Sequence, residues 1–466
     1  MNVVEVRDLS FRYSNSKDYT LKNISFSLKR DEALLIAGPT GSGKSTLGYI
    51  LSGIAQSYLD GELEGSVKVF GRTIKKLEDT RGLIGYVFQS FENQLLSFTV
   101  IDELALAAIN SGLSEREVID NIYKISDLLN MRNLLKRYVF NLSSGEMQKV
   151  AIGSMIVLKP KILILDEPLS QLDNTSVKNL LTILNQLKDS GITIIIIEHR
   201  IRKILPIVDK VLILEAGEEI FFGDKRDAIN TFERLRLRID KISWHKHKKP
   251  SDKTIIKCED IWISRSGIFG VVKGVSFEVK EGEIVLFYGP NGAGKTSLSL
   301  FLTGIIDKVK GHAQINGKIS IVFQNPDYNI VYDTVFDEVY KPALNSGLTR
   351  EEAKIFANML LEKFNLSKYR SKHPKLLSKG EKMRLAIASA LASKPNILIL
   401  DEPTFGQDYQ GILGILEMLA FFRDKWGLSI IINTNDEELM EAVGDRVYVI
   451  DKGEIIKVIK RGRDEF

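Results

Sequence analysis

Two stretches of this 466-residue chain have the residue types and spacing needed to hold a chain of phosphates. They are Gly38-Pro39-Thr40-Gly41-Ser42-Gly43-Lys44-Ser45-Thr46 and Gly289-Pro290-Asn291-Gly292-Ala293-Gly294-Lys295-Thr296-Ser297. The glycines allow a tight turn that aims backbone N–H groups at phosphate oxygens. Lys44 and Lys295 are then expected to reach the β- and γ-phosphates, and the Ser45 and Thr296 hydroxyls to ligate magnesium. A second pair of segments, Ile-Leu-Ile-Leu-Asp-Glu-Pro, runs identically from Ile162 to Pro168 and from Ile397 to Pro403. Asp166 and Asp401 suit a hydrated magnesium ion at the carboxyl end of a strand. Glu167 and Glu402, one residue on, are placed to polarise an attacking water as general bases.

These motifs form a repeat. Phe88-Gln89 recurs as Phe323-Gln324, and Leu142-Ser143-Ser144-Gly145-Glu146 recurs as Leu377-Ser378-Lys379-Gly380-Glu381. Glutamine to leucine spans 53 residues in both halves, and leucine to aspartate spans 24 in both. Only the stretch from lysine to glutamine differs, 45 residues against 29, as an insertion in a surface loop would allow. The chain therefore reads as a duplicated domain, residues 1–234 and 253–466. The basic, irregular segment 235–252 between them reads as a solvated linker.

To position such groups the chain must supply strands that end at the motifs. Short apolar runs alternate with longer amphipathic ones, the pattern of an α/β domain with a mainly parallel sheet. Ala33–Ala37 and Glu283–Tyr288 read as buried strands leading into the glycine-rich loops, with Ile162–Leu165 and Ile194–Ile197 as further central strands. Ser114–Leu129 and Thr349–Leu361 read as helices.

Composition narrows the class. With 44% hydrophobic and 27% charged residues, the chain is that of a globular protein. A net charge of +4 from 64 basic and 60 acidic residues gives no expectation of a nucleic-acid partner. The single cysteine, Cys258, excludes a disulfide framework and cysteine-ligated zinc or iron–sulfur sites. The N-terminus lacks a charged-then-apolar leader, and no apolar run approaches the ~20 residues of a membrane span. The expectation is a cytoplasmic protein whose membrane role, if any, comes through a partner.

The order of glycine-rich loop, glutamine, Leu-Ser-x-Gly-Glu, Leu-Asp-Glu-Pro, Asp and His resembles the ATP-binding cassette superfamily over nearly the whole chain. That resemblance implies two tandem nucleotide-binding domains. Each would have a RecA-like parallel core, an antiparallel β subdomain and a helical subdomain. It implies ATP and Mg2+ as ligands and ATP hydrolysis as the reaction. Gln89 and Gln324 would sense magnesium and the attacking water. Ser143 with Gly145, and Ser378 with Gly380, would cap the γ-phosphate held by the opposite domain, and Asp173 and Asp408 would join the two sites. His199 would be the switch residue on the γ-phosphate, with Asn435 in its place in the second half. Tyr13 would stack on adenine, where the second half has Arg265. The two halves would close head to tail as an internal pseudo-dimer with unequal sites, because asparagine carries neither proton nor charge. Lys379, replacing a glycine of the signature, is a further departure.

The loops Phe88-Gln-Ser-Phe-Glu-Asn-Gln94 and Phe323-Gln-Asn-Pro-Asp-Tyr-Asn329 resemble those of energy-coupling factor transporters for vitamins and transition-metal ions. Asn329 departs from that pattern. The resemblance implies a transmembrane scaffold protein and a small substrate-binding membrane protein as partners, with this chain peripheral on the inner face of the cell membrane. Two alternatives share the tandem layout: the ATPase of a sugar or nucleoside importer, and a soluble ATP-driven switch acting on ribosomes.

Overall fold

The structure, a computed structural model, describes residues 2–109, 114–170, 172–235, 237, 250–265, 268–404 and 407–460. Most of the segment read as a linker, 235–252, lies outside the described residues. The chain divides into two compact units, Met1–Arg238 and Ile239–Phe466.

In the first unit five strands run parallel in the order Lys210–Glu215, Leu34–Ala37, Thr193–Ile197, Ile162–Asp166 and Ile84–Val87. Leu34–Ala37, Ile162–Asp166 and Thr193–Ile197 are buried at every position, as continuous β-branched and leucine runs covered on both faces must be. An antiparallel group formed by Asn2–Tyr13, Leu21–Lys29 and Gly61–Val69 joins the same ten-stranded sheet through one pairing, Lys22 with Glu218. The second unit keeps the two parts separate. A three-stranded antiparallel sheet (Ile268–Lys280, Thr254–Arg265, Lys310–Ile315) stands apart from a six-stranded one. In the latter, Ile319–Val322, Ile397–Asp401, Ser429–Thr434, Ile284–Tyr288 and Arg446–Asp451 are parallel.

Each unit adds a helical group: Val100–Ile109, Glu115–Leu128 and Ser144–Ile156 in the first, Val335–Asn345, Arg350–Lys363 and Lys379–Ala392 in the second. Ser114 and Thr349 cap two of these helices through reciprocal bonds with Glu117 and Glu352, which sets where each begins. The longer lysine-to-glutamine stretch of the first unit is not only loop. It holds the short helix Ile54–Tyr58, the strand Arg72–Thr73 and a 3-10 turn at Leu77–Thr80. No helix among the described residues is long and apolar enough to cross a membrane.

Candidate functional site

Each glycine-rich loop links a buried strand to a helix that begins at the lysine, Lys44–Leu51 and Lys295–Leu302. Gly43 and Gly294 sit at those N-termini with φ of 94° and 103°, and a Cβ at Gly43 would meet the Thr20 carbonyl oxygen at 2.8 Å. Only glycine fits there. Lys44 Nζ donates to the carbonyls of Gly38 and Pro39, both at 2.8 Å, and Lys295 Nζ repeats this with Gly289 (2.7 Å) and Pro290 (3.0 Å). The lysines thus fold over a cradle of backbone N–H groups at a helix N-terminus, a ready anion site.

The hydroxyl expected on magnesium lies against the strand-end aspartate in both units. Ser45 Oγ donates to Asp166 Oδ1 at 3.2 Å, and Thr296 Oγ1 to Asp401 Oδ2 at 2.8 Å. A hydroxyl and a carboxylate oxygen are hard donors of the kind magnesium takes, one or two from protein and the rest from water and phosphate, so this pair fits the ion. Burial pushes the Asp166 carboxyl up to about 6, with Glu167 adding to the rise while Ser45 and Tyr86 oppose it. A cation would reverse that cost.

Glu167 and Glu402 both adopt left-handed backbone, φ 48° and 47°. The conformation is uncommon for a non-glycine residue and is held by bonds from their N–H groups to the Ile197 and Asn433 carbonyls. Gln89 Nε2 donates to Glu167 Oε2, joining the glutamine loop to this carboxylate. Gln324 is exposed and makes no such bond to Glu402 among the described residues. Glu402 instead pairs with Lys295 at 3.4 Å and accepts from the Asn435 N–H. Burial raises its carboxyl to about 7, against the opposing pull of Lys295.

His199 Nδ1 lies 3.9 Å from Glu167 Oε1 and 3.2 Å from Glu198 Oε1. Asn435 takes the equivalent place but turns its amide onto Asn291 of the glycine-rich loop at 2.9 Å. The switch positions are therefore braced differently. Tyr13, at the end of its strand, shares a hydrogen bond with Thr46 at 3.0 Å, so it stands beside the phosphate loop. The side chain of Arg265 lies outside the described residues.

Ser143 and Ser378 cap the helices Ser144–Ile156 and Lys379–Ala392 through capping boxes with Glu146 and Glu381. Asp173 and Asp408 cap Asn174–Asp189 and Tyr409–Trp426. No hydrogen bond among the described residues joins Ser143, Gly145, Ser378 or Gly380 to the glycine-rich loop of its own unit. Asn329, which departs from the Gln94 pattern, does the same work with a shorter arm. Gln94 bonds the Phe88 N–H and the Tyr86 carbonyl, and Asn329 bonds the Phe323 N–H and the Ile321 carbonyl.

Three residues of the site carried no expectation from sequence. The Glu198 carboxylate is fully buried and accepts from the N–H groups of Leu169, His199 and Arg200 at 2.8–3.0 Å. It ties the segment after Glu167 to the one holding His199. Tyr86 and Asn433, both buried, donate to Asp166 and Asp401. Their signal was a polar group interrupting or ending an apolar strand, which periodicity alone does not single out.

A family model described as ABC transporter matches residues 21–170 and 272–405. A putative ABC transporter ATP-binding protein of Methanosarcina mazei is 32% identical, over 99% of this chain and 89% of that protein. The putative HMP/thiamine import ATP-binding protein YkoD of Bacillus subtilis is 28% identical, over 96% of this chain and 90% of its own length. Among solved structures, a model of ribosome-bound archaeal Pelota and ABCE1 superposes with a TM-score of 0.75 at 21% identity. That match covers 97% of this chain and 78% of the other, and at this identity it reflects the shared fold.

Proposed function

The chain belongs to the ABC transporter family, and from that membership we propose that it is the motor of an importer of energy-coupling factor type, drawing a micronutrient through membrane partners. As a tandem ABC ATPase it binds ATP and splits it to ADP and phosphate. The importer type rests on the glutamine loops and on what surrounds the first of them. Leu96 and Phe98 are 78% and 75% exposed, and the Phe98 carbonyl bonds the Val139 N–H. That places Tyr138 and Phe140, stacked at 5.3 Å and also exposed, alongside. A contiguous apolar patch of this kind marks an interaction site, here for a membrane scaffold protein, with a small substrate-binding membrane protein beyond it. The name of the Bacillus subtilis relative supports an importer.

In the proposed reaction Lys44 and Lys295 hold the β- and γ-phosphates. Ser45 with Asp166, and Thr296 with Asp401, hold Mg2+, helped by Gln89 and Gln324. Bound magnesium neutralises charge on the phosphates. Glu167 orients and deprotonates the attacking water, with Gln89 on its other oxygen fixing its rotamer and His199 set by Glu198. Glu402 serves the second site with Asn435 beside it. Tyr13 contacts the adenine, and the two halves act as an internal pseudo-dimer of units 1–234 and 253–466, the signature residues Ser143, Gly145, Ser378 and Gly380 completing the sites. The chain would sit peripherally on the inner face of the membrane.

The test is to tag the chain in its host, solubilise membranes gently and identify what co-purifies. A multi-helix scaffold protein together with a small membrane protein supports the reading. Recovery with ribosomal proteins, or with no membrane protein, overturns the importer while leaving the ATPase.

A further inference from the structure

The two units hold their strand-end aspartates from opposite sides. In the first, one oxygen of Asp166 accepts from Ser45 and the other from the Tyr86 hydroxyl at 3.0 Å. Tyr86 comes from Ile84–Val87, the strand on one flank of Ile162–Asp166. In the second, one oxygen of Asp401 accepts from Thr296 and the other from Asn433 Nδ2 at 2.8 Å. Asn433 comes from Ser429–Thr434, the strand on the other flank, where it lies directly opposite Asp401.

The positions left over are apolar. Ile197 faces Asp166 where Asn433 faces Asp401, and Ile321 occupies the place of Tyr86, opposite Ile399 as Tyr86 is opposite Ile164. A third position changes with them. Asn433 Nδ2 also donates to Ser299 Oγ at 2.8 Å, whereas the matching residue of the first unit is Gly48. A Cβ on Gly48 would meet Ile197 Cδ1 at 2.8 Å and the Tyr86 hydroxyl at 2.9 Å. So the tyrosine fits only over a glycine, and the asparagine is supported by a serine. Tyr49 and Phe88 pack on the Tyr86 ring, at 5.5 and 4.9 Å between centroids.

We propose that Tyr86 and Asn433 are equivalent positioning residues, each fixing the second oxygen of the aspartate that presents its partner oxygen to the metal site. The set Gly48, Tyr86, Ile197 and the set Ser299, Ile321, Asn433 are two packing solutions to the same requirement. The inference rests on the reading that Asp166 and Asp401 hold Mg2+. An unpaired carboxylate oxygen buried at 3% or 5% exposure would be costly, and the carboxylate would rotate to relieve it. Groups that orient a metal ligand from behind usually govern metal affinity about tenfold or more.

The experiment uses the full chain with one site silenced. In a Lys295→Ala background, TNP-ATP binding is titrated against Mg2+ and, separately, measured in EDTA, for Tyr86→Phe and Asp166→Asn. Asn433→Ala is examined likewise in a Lys44→Ala background. The expected result is that Tyr86→Phe and Asn433→Ala each raise half-saturating Mg2+ about tenfold and leave metal-free nucleotide affinity unchanged. Tyr86→Ile should lose the same factor, and Gly48→Ser with Tyr86→Ile and Ile197→Asn should recover it. Unchanged half-saturation in Tyr86→Phe, while Asp166→Asn abolishes the Mg2+ effect, overturns the positioning role alone. An Asp166→Asn variant that keeps normal Mg2+ dependence overturns the metal reading and the inference with it. Equal losses with and without metal would mark Tyr86 as merely structural and also overturn it.

Discussion

Glu402→Gln should gain stability relative to the parent protein as pH rises through neutrality, in the nucleotide-free state, by an amount the site itself sets. The carboxyl of Glu402 is buried against Asp401, and among the described residues its Oε1 has no hydrogen-bond partner, only Lys295 at 3.4 Å. Burial lifts its pKa from 4.5 to about 7. The folded state therefore holds this proton more tightly than the unfolded state does. The resulting stabilisation is full below pH 4.5 and is lost as pH rises through 7. Moving one carboxyl from 4.5 to about 7 corresponds to about 3 kcal/mol, at about 1.36 kcal/mol per pH unit. Glutamine has no such proton, so the gap between Glu402→Gln and the parent should widen by about 3 kcal/mol between pH 4.5 and pH 8. Because the comparison is a difference across pH, the glutamine's own contacts cancel. Urea unfolding in EDTA without nucleotide measures it. Tryptophan fluorescence follows the second unit, since Trp244, Trp262 and Trp426 all lie beyond residue 238. A gap that stays constant with pH, or narrows as pH rises, refutes the reasoning.

Glu167→Gln should remove most ATP turnover and Glu402→Gln less, because only the first carboxylate has both Gln89 and His199 beside it; equal losses in a steady-state phosphate-release assay would disprove the asymmetry. Glu198→Gln places an amide against three backbone N–H donors, a cost of about 2 kcal/mol. It should destabilise the first unit by about that amount and lower kcat more than it changes KM, and an unaltered kcat would deny that Glu198 sets His199. Gly43→Ala should destabilise the first unit by more than about 2 kcal/mol, since it combines left-handed backbone with a carbonyl oxygen at 2.8 Å. Gly41→Ala, left-handed but with open space around it, should cost only about 1 kcal/mol; calorimetry showing equal costs would sink the distinction.

The sequence by itself determined the duplication, the α/β class, the phosphate-binding loops and the acidic strand ends. Those features are encoded locally: a tight turn needs glycine at fixed offsets, and a doubly covered strand needs an unbroken apolar run. Helix starts were equally legible, because Ser114 and Thr349 announce themselves by a glutamate three residues on. What only the tertiary structure decided are contacts between residues far apart in the chain. Tyr86 meets Asp166 across 80 positions, and Asn433 meets Asp401 across 32. Asn329 looked like a departure until its bonds proved the same as those of Gln94. Which flanking strand supplies a donor depends on sheet order and on the volume left by Gly48 or Ser299. A linear pattern records neither, because pairing between strands is fixed by global packing rather than by neighbours in sequence.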